Sequence, residues 1–216
     1  MEKKADLKTM KKSEVAGFIW DYYKWWIIGG VIVIALVASL IYHFVTYKSP
    51  IVELVLVNCA SEEEETEPDF SDFMDQYGYD DTKQEVVLQN SYAVNLTNGA
   101  SGNVYSFEAL QTLIAAGGVD VLAADKEVYA YLAKQQNVAD LSDYLSADLM
   151  EKYAKNIVYV TDSETGKKYP AGIRLVHNQW MDNYGYYPDG CVIGIVNGSG
   201  RTTAAKQLMQ YLLGED

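Results

Sequence analysis

The stretch from residue 25 to residue 45, WWIIGGVIVIALVASLIYHFV, holds no carboxylate, lysine or arginine, and its one imidazole, His43, lies near the far end. The apolar part, residues 27–45, is 19 residues long, close to the roughly 20 that a helix needs to cross a hydrocarbon core. The rest of the chain is therefore read as a domain held at a membrane. A cleaved secretory signal is the rival. Such a signal has an apolar region of about 7–15 residues followed by a small-residue cleavage site. Here 26 residues precede a longer run, which ends in the bulky Ile41-Tyr42-His43-Phe44, with Ala35, Ala38 and Ser39 in its middle. These features favour an uncleaved anchor. Leu56-Val57-Asn58-Cys59 has the outline of a lipoprotein box, but Asn58 is not small, and Lys48 and Glu53 separate the cysteine from the apolar run.

Charge sets the expected orientation. The first 24 residues carry six lysines (Lys3, Lys4, Lys8, Lys11, Lys12, Lys24) against four acids, and only Lys48 sits close on the other flank. Basic residues beside a membrane segment favour the cytoplasmic side. Trp20, Tyr22, Tyr23, Trp25 and Trp26 crowd one boundary, and Tyr42, Phe44 and Tyr47 the other. Aromatic belts of this kind settle at the headgroups, where an apolar ring and a polar tip are both satisfied. The chain thus divides into a cytoplasmic Lys-rich, aromatic segment (1–24), a transmembrane helix (25–47) and an extracellular domain (48–216). The expected location is the cell membrane, single-pass, with the N-terminus inside.

Residues 49–216 have the length of one ordinary domain. They hold ten basic residues against 26 acidic ones, a net charge of −16. That balance excludes nucleic acid, whose phosphates need a basic surface. It suits solubility outside a cell or a cationic partner. The acidic run 62–65 reads as a solvated loop, because contiguous glutamates lack the alternating spacing of a calcium loop. Cys59 and Cys191 both lie in apolar contexts where a buried thiol is ordinary, although the compartment permits a disulfide.

Apolar patterning gives the order of elements. Strands are expected at 51–59, 85–89 and 119–123, and helices at 69–77, 104–116, 126–135 and 147–155, with Asp125 capping the third helix. Strands alternating with helices point to a parallel sheet covered on both faces. The pattern then changes. Segments 156–161 and 169–176 flank Asp162-Ser163-Glu164-Thr165-Gly166 as a hairpin, followed by a strand at 191–196 and a last helix at 202–213.

Three segments resemble extracellular solute-binding proteins of bacterial ABC importers: LQTLIAAGGVDVLAADKEVYAYLAKQQNVADLSDYLS (110–146), GKKYPAGIRLVHNQWMDNYG (166–185) and VIGIVNGSGRTTAAKQLMQYLLG (192–214). They follow one another in the family's order and cover about half of the outer domain. The resemblance implies an α/β fold of the periplasmic-binding type, doubly wound with a mixed sheet. In that family a whole second lobe lies between the exit and return segments. Here only residues 182–190, DNYGYYPDG, separate them. The implied domain is a single lobe, without the partner lobe that closes on ligand.

In open α/β sheets ligands sit beyond the carboxyl ends of the strands. That edge is expected to offer Asn58, Asn90, Ser91, Tyr92, Asp125 and the loop 197–200, whose side chains can hydrogen-bond a polar ligand. The same residue types serve turns and caps, which is the blander expectation. Trp180, Tyr184, Tyr186 and Tyr187 can stack on a ring of a ligand, or cover apolar surface that a second lobe would hide; cover is preferred. The ligand-binding candidates are therefore Asn58, Asn90, Tyr92, Asp125, Trp180 and Tyr184. Asn197-Gly198-Ser199-Gly200 lacks the Gly-Lys-Ser/Thr of a nucleotide loop and reads as a helix start. His177 is the one histidine outside the membrane segment, and no paired-histidine, nucleophile-elbow or Cys/Cys/His motif occurs. No catalytic residue, metal or cofactor is expected. The leading expectation is a noncatalytic interaction or assembly module at the cell surface, whose partners are the bilayer and a protein. Its rival is a binding or sensing component for a small polar ligand such as a sugar, peptide or amino acid.

Overall fold

A computed structural model describes residues 12–60, 68–96 and 104–214. The acidic run 62–65, most of the loop expected over 95–103 and four of the six N-terminal lysines fall outside them. Two compact units emerge, Met1–Tyr47 and Lys48–Asp216.

The first unit contains helix α1, Lys12–Thr46, 35 residues long. It starts well before the apolar run, so helix and span are not the same object. Its segment Tyr22–Thr46 has a mean hydropathy of 2.4. Large apolar side chains along it are exposed, among them Ile34, Leu36 and Phe44. A helix apolar around its whole circumference has no aqueous solution that suits it. It is a membrane anchor or a secretion signal by length and composition.

The second unit is a six-stranded mixed sheet between two layers of helices. Its strands are β1 (Ser49–Val57), β2 (Gln84–Tyr92), β3 (Val121–Ala124), β4 (Ile157–Thr161), β5 (Lys168–Leu175) and β6 (Cys191–Ile195), in the spatial order β2-β1-β3-β6-β5-β4. β1 pairs in parallel with both β2 and β3, whereas β6 runs antiparallel to β3 and to β5, and β4 antiparallel to β5. The Asp162–Gly166 hairpin closes as expected, with Asp162 accepting from the Glu164 and Thr165 amides.

Alternation along the strands sorts side chains to the two faces. Leu54, Leu56, Val121, Ala123, Ile173, Ile193 and Ile195 join one core, on which α2 (Ser71–Tyr77), α5 (Ala147–Lys152), α6 (Gln179–Asn183) and α7 (Thr202–Leu212) pack. Val55, Val57, Leu122, Ala124, Ala171 and Val192 join the other, under α3 (Val104–Ala115) and α4 (Lys126–Lys134). β1, apart from Glu53, and β3 are buried on both faces, which is why they read as largely apolar runs. Each buried leucine or isoleucine contributes about 1.5–3 kcal/mol of transfer free energy. Tyr129, from α4, is fully buried and donates its hydroxyl to the Ala171 carbonyl at 2.7 Å. Gly172 and Gly194 make room for it. A Cβ at Gly172 would stand 2.8 Å from the ring, and one at Gly194 would overlap the hydroxyl.

The direction of β6 corrects one expectation. Because β6 opposes β1 and β3, the loop 197–200 that follows it lies at the amino end of those strands, not at the carboxyl edge with Asn58 and Asp125. An apolar run has no polarity of its own, so the segment CVIGIV carried no sign of its direction. Helix α6 was also unanticipated; five residues, of which Met181 alone is buried, are too few to show a period.

Candidate functional site

The carboxyl ends of β1 and β3 are where a ligand is expected. The chain leaves β1 toward α2 on one face and leaves β3 toward α4 on the other. The crevice between these two strands is therefore the switch point of the sheet.

Asn58 follows β1 with φ of 58°, in the left-handed region that asparagine tolerates better than most residues. Its side chain receives the Val94 amide at 2.6 Å, donates to the Val94 carbonyl at 2.7 Å and donates to Asp125 at 2.5 Å. Asp125 caps α4, accepting from the Glu127 and Val128 amides at 3.0 Å. The two side chains are thus brought together and occupied by fastening the β1, β2 and β3 loops to each other. They also line a cavity of about 760 Å³ with Ala93–Leu96, Lys126, Glu127, Asp189 and Gly190.

Tyr187 closes the crevice itself. Its hydroxyl lies 2.8 Å from the Val57 carbonyl and 3.0 Å from the Ala123 carbonyl, so one hydroxyl serves the carboxyl ends of both strands. Burial, and then the nearby thiols and Asp125, push its hydroxyl well above its ordinary pKa, so it stays a donor. Gly190 allows the turn that delivers it. φ there is 84°, and a Cβ would meet the Leu175 carbonyl. Tyr186 is buried beside it and accepts the Ala60 amide at 2.7 Å. No disulfide joins Cys59 and Cys191, and burial pushes the Cys191 thiol up to about 12.

Trp180 and Tyr184 belong elsewhere, on the helical face. Their ring centres are 5.2 Å apart, with Phe70 5.5 Å from Trp180 and Tyr186 5.9 Å from Tyr184. The Tyr184 hydroxyl accepts the Asp69 amide. Trp180 lines a second cavity, of about 480 Å³, between α2, α6 and the end of α7; exposed His177 lies on its rim. The indole Nε1 of Trp180 is buried without an acceptor among the described residues. Asn90 and Tyr92, on β2, line neither cavity. The Asn90 carbonyl takes the Cys59 thiol at 3.3 Å, and the Tyr92 hydroxyl donates to Gln89. The six candidates therefore form two separate groups and two outliers.

A constellation that the sequence did not announce sits at the opposite end of the sheet. Asp120, with no exposed surface, accepts from Arg201 Nε at 2.7 Å, from the Ser199 hydroxyl and from the Glu53 amide at 2.7 Å. Glu53 faces the same guanidinium at 3.7 Å, and its Oε2 has no partner among the described residues. Burial raises the Glu53 pKa more than Arg201 lowers it, and Asp120 adds to the rise. Ser199 is spent on Asp120 and on the Arg201 amide, and the 197–200 loop leads into α7 as a helix start. Among the described residues no cluster of three or more metal-ligating side chains occurs. No family model, curated protein or solved structure matches the chain.

Proposed function

We propose that this chain is a membrane-anchored surface module, and that its outer domain works by contact with another protein rather than by catalysis or solute capture. In this reading α1 remains in the bilayer with the Lys-rich end inside, and the domain is a one-lobe version of the solute-binding fold. The observation that carries it is the occupied switch point. Where an α/β lobe would receive a ligand, Tyr187 spans the Val57 and Ala123 carbonyls, and Asn58 and Asp125 are engaged with each other. An acidic surface tethered two residues after its helix supports the same reading, since a domain so placed meets neighbours in the membrane plane.

The test is crosslinking in intact cells followed by recovery of the full chain from carbonate-washed membranes. A reproducible protein adduct on an uncleaved chain is the expected result. A chain released by the wash or shortened near residue 45, or one that repeatedly yields no adduct, overturns the proposal.

The cavity of about 760 Å³ beside Asn58 and Asp125 favours a second reading, a sensor of a small polar ligand. Thermal-shift screening against sugars, peptides and amino acids separates the two. Saturable stabilisation that is lost in Asp189→Asn supports the sensor; Asp125→Ala is unsuitable because it also removes a helix cap.

A further inference from the structure

We propose that the cavity between α2, α6 and the end of α7 receives a cationic side chain, a guanidinium above all, from the protein partner. This rests on the contact reading above and adds the chemistry of the contact. Three half-buried rings, Tyr153, Trp180 and Tyr211, stand in its wall. They are held rigidly. Tyr211 packs edge-on against Phe73 at 5.5 Å, Trp180 against Phe70 at 5.5 Å, and the Tyr153 hydroxyl donates to the Leu213 carbonyl. Aromatic faces attract cations through their quadrupole, most strongly where the cation is partly desolvated.

The polar part of the wall has the matching sign. Asp72 is its carboxylate, and no lysine or arginine lines the cavity. Gln76, Gln179 and Asn183 add amide oxygens. A guanidinium presents five N–H donors in a plane and no acceptor, so it needs ring faces together with several oxygens. Lys152, outside the lining, holds its Nζ 5.5 Å from the centre of the Tyr153 ring, a cation that the chain itself sets on one of these rings. That ring is taken, which leaves Trp180 and Tyr211 for a partner.

The experiment uses the full chain in nanodiscs of phosphatidylcholine, a lipid without net charge, with empty discs as blank. The probe is a glycine-flanked arginine peptide, and its control carries citrulline at the arginine positions. Calorimetric or NMR titration is expected to show saturable binding of the arginine peptide and none of the citrulline peptide. Asp72→Asn and Trp180→Ala should each weaken it at least tenfold, and the pair Glu127→Gln with Asp189→Asn, on the other cavity, less than twofold. Asp72 is exposed, so its substitution leaves the fold intact should Trp180→Ala prove unstable. Three outcomes overturn the proposal: no saturable binding, equal binding of the citrulline peptide, or equal loss at the distant pair, which would mean diffuse attraction to an acidic surface. A cellular crosslink that survives Asp72→Asn and Trp180→Ala would remove this site and leave the contact reading standing.

Discussion

At the carboxyl end of β1 and β3 the closing atom is the neutral hydroxyl of Tyr187, shared by two backbone carbonyls. At the amino end it is the carboxylate of Asp120, held by Arg201, Ser199 and the Glu53 amide. The two closures join the same strands to distant parts of the chain and differ in what their loss leaves behind. Removing a neutral hydroxyl exposes carbonyls to a net cost of the order of a hydrogen bond. Removing one partner of a buried ion pair strands a charge. The sheet therefore has one end that tolerates change and one that does not. It is the tolerant end that coincides with the switch point.

Arg201→Met tests the harder end most directly. It leaves Asp120 buried beside Glu53 without a cation, and the expected loss is about 3 kcal/mol, the low end for buried pairs because Arg201 keeps some exposure. Urea unfolding of the outer domain in the nanodisc-held chain measures it. A loss below about 1 kcal/mol would erase the contrast between the ends.

Asn58→Ala comes next, at about 2 kcal/mol, because it removes three hydrogen bonds and puts alanine at φ of 58°. Asn58→Gly keeps the backbone freedom, so the gap between the two variants isolates the backbone share. If the glycine variant is as unstable as the alanine one, the side-chain bonds account for everything.

Tyr187→Phe should cost about 1–2 kcal/mol, with a transition of unchanged steepness, since the ring still fills its place. A change larger than that of Arg201→Met would reverse the ranking of the two ends.

The smallest effect concerns pH at Glu53. Its folded pKa lies above 4.5, so as pH falls from neutrality the folded chain takes up this proton before the unfolded chain does. The group's contribution to stability therefore rises as pH falls, until both states are protonated below about 4.5. Glu53→Gln removes that dependence: the variant should be slightly the more stable at pH 7, with the gap closing toward pH 4.5. A gap that widens on acidification contradicts the sign.

Much of the local structure was legible because single segments encode it. The mostly apolar runs at 51–59 and 119–123 supply β1 and β3, Asp125 precedes a helix that it does cap, and the Asp162–Gly166 turn lies between two strand patterns. What was not legible depends on partners remote in sequence. Nothing local distinguishes Asp120 from any acid beside a strand; its meaning comes from Arg201 and Ser199, which arrive only when α7 docks. Likewise the four ring-bearing residues 180, 184, 186 and 187 read alike in one dimension. In the fold Tyr186 and Tyr187 are buried against the strand ends, while Trp180 and Tyr184 remain half-buried on the helical face.

Tyr129 reaches across the sheet into the gap that Gly172 and Gly194 leave open. The three positions therefore vary as one unit. A descendant that keeps the ring cannot accept alanine at either glycine, and one that loses the ring gains freedom at both while inheriting a hole in its interior. Among relatives of this chain, these three positions should change together or not at all.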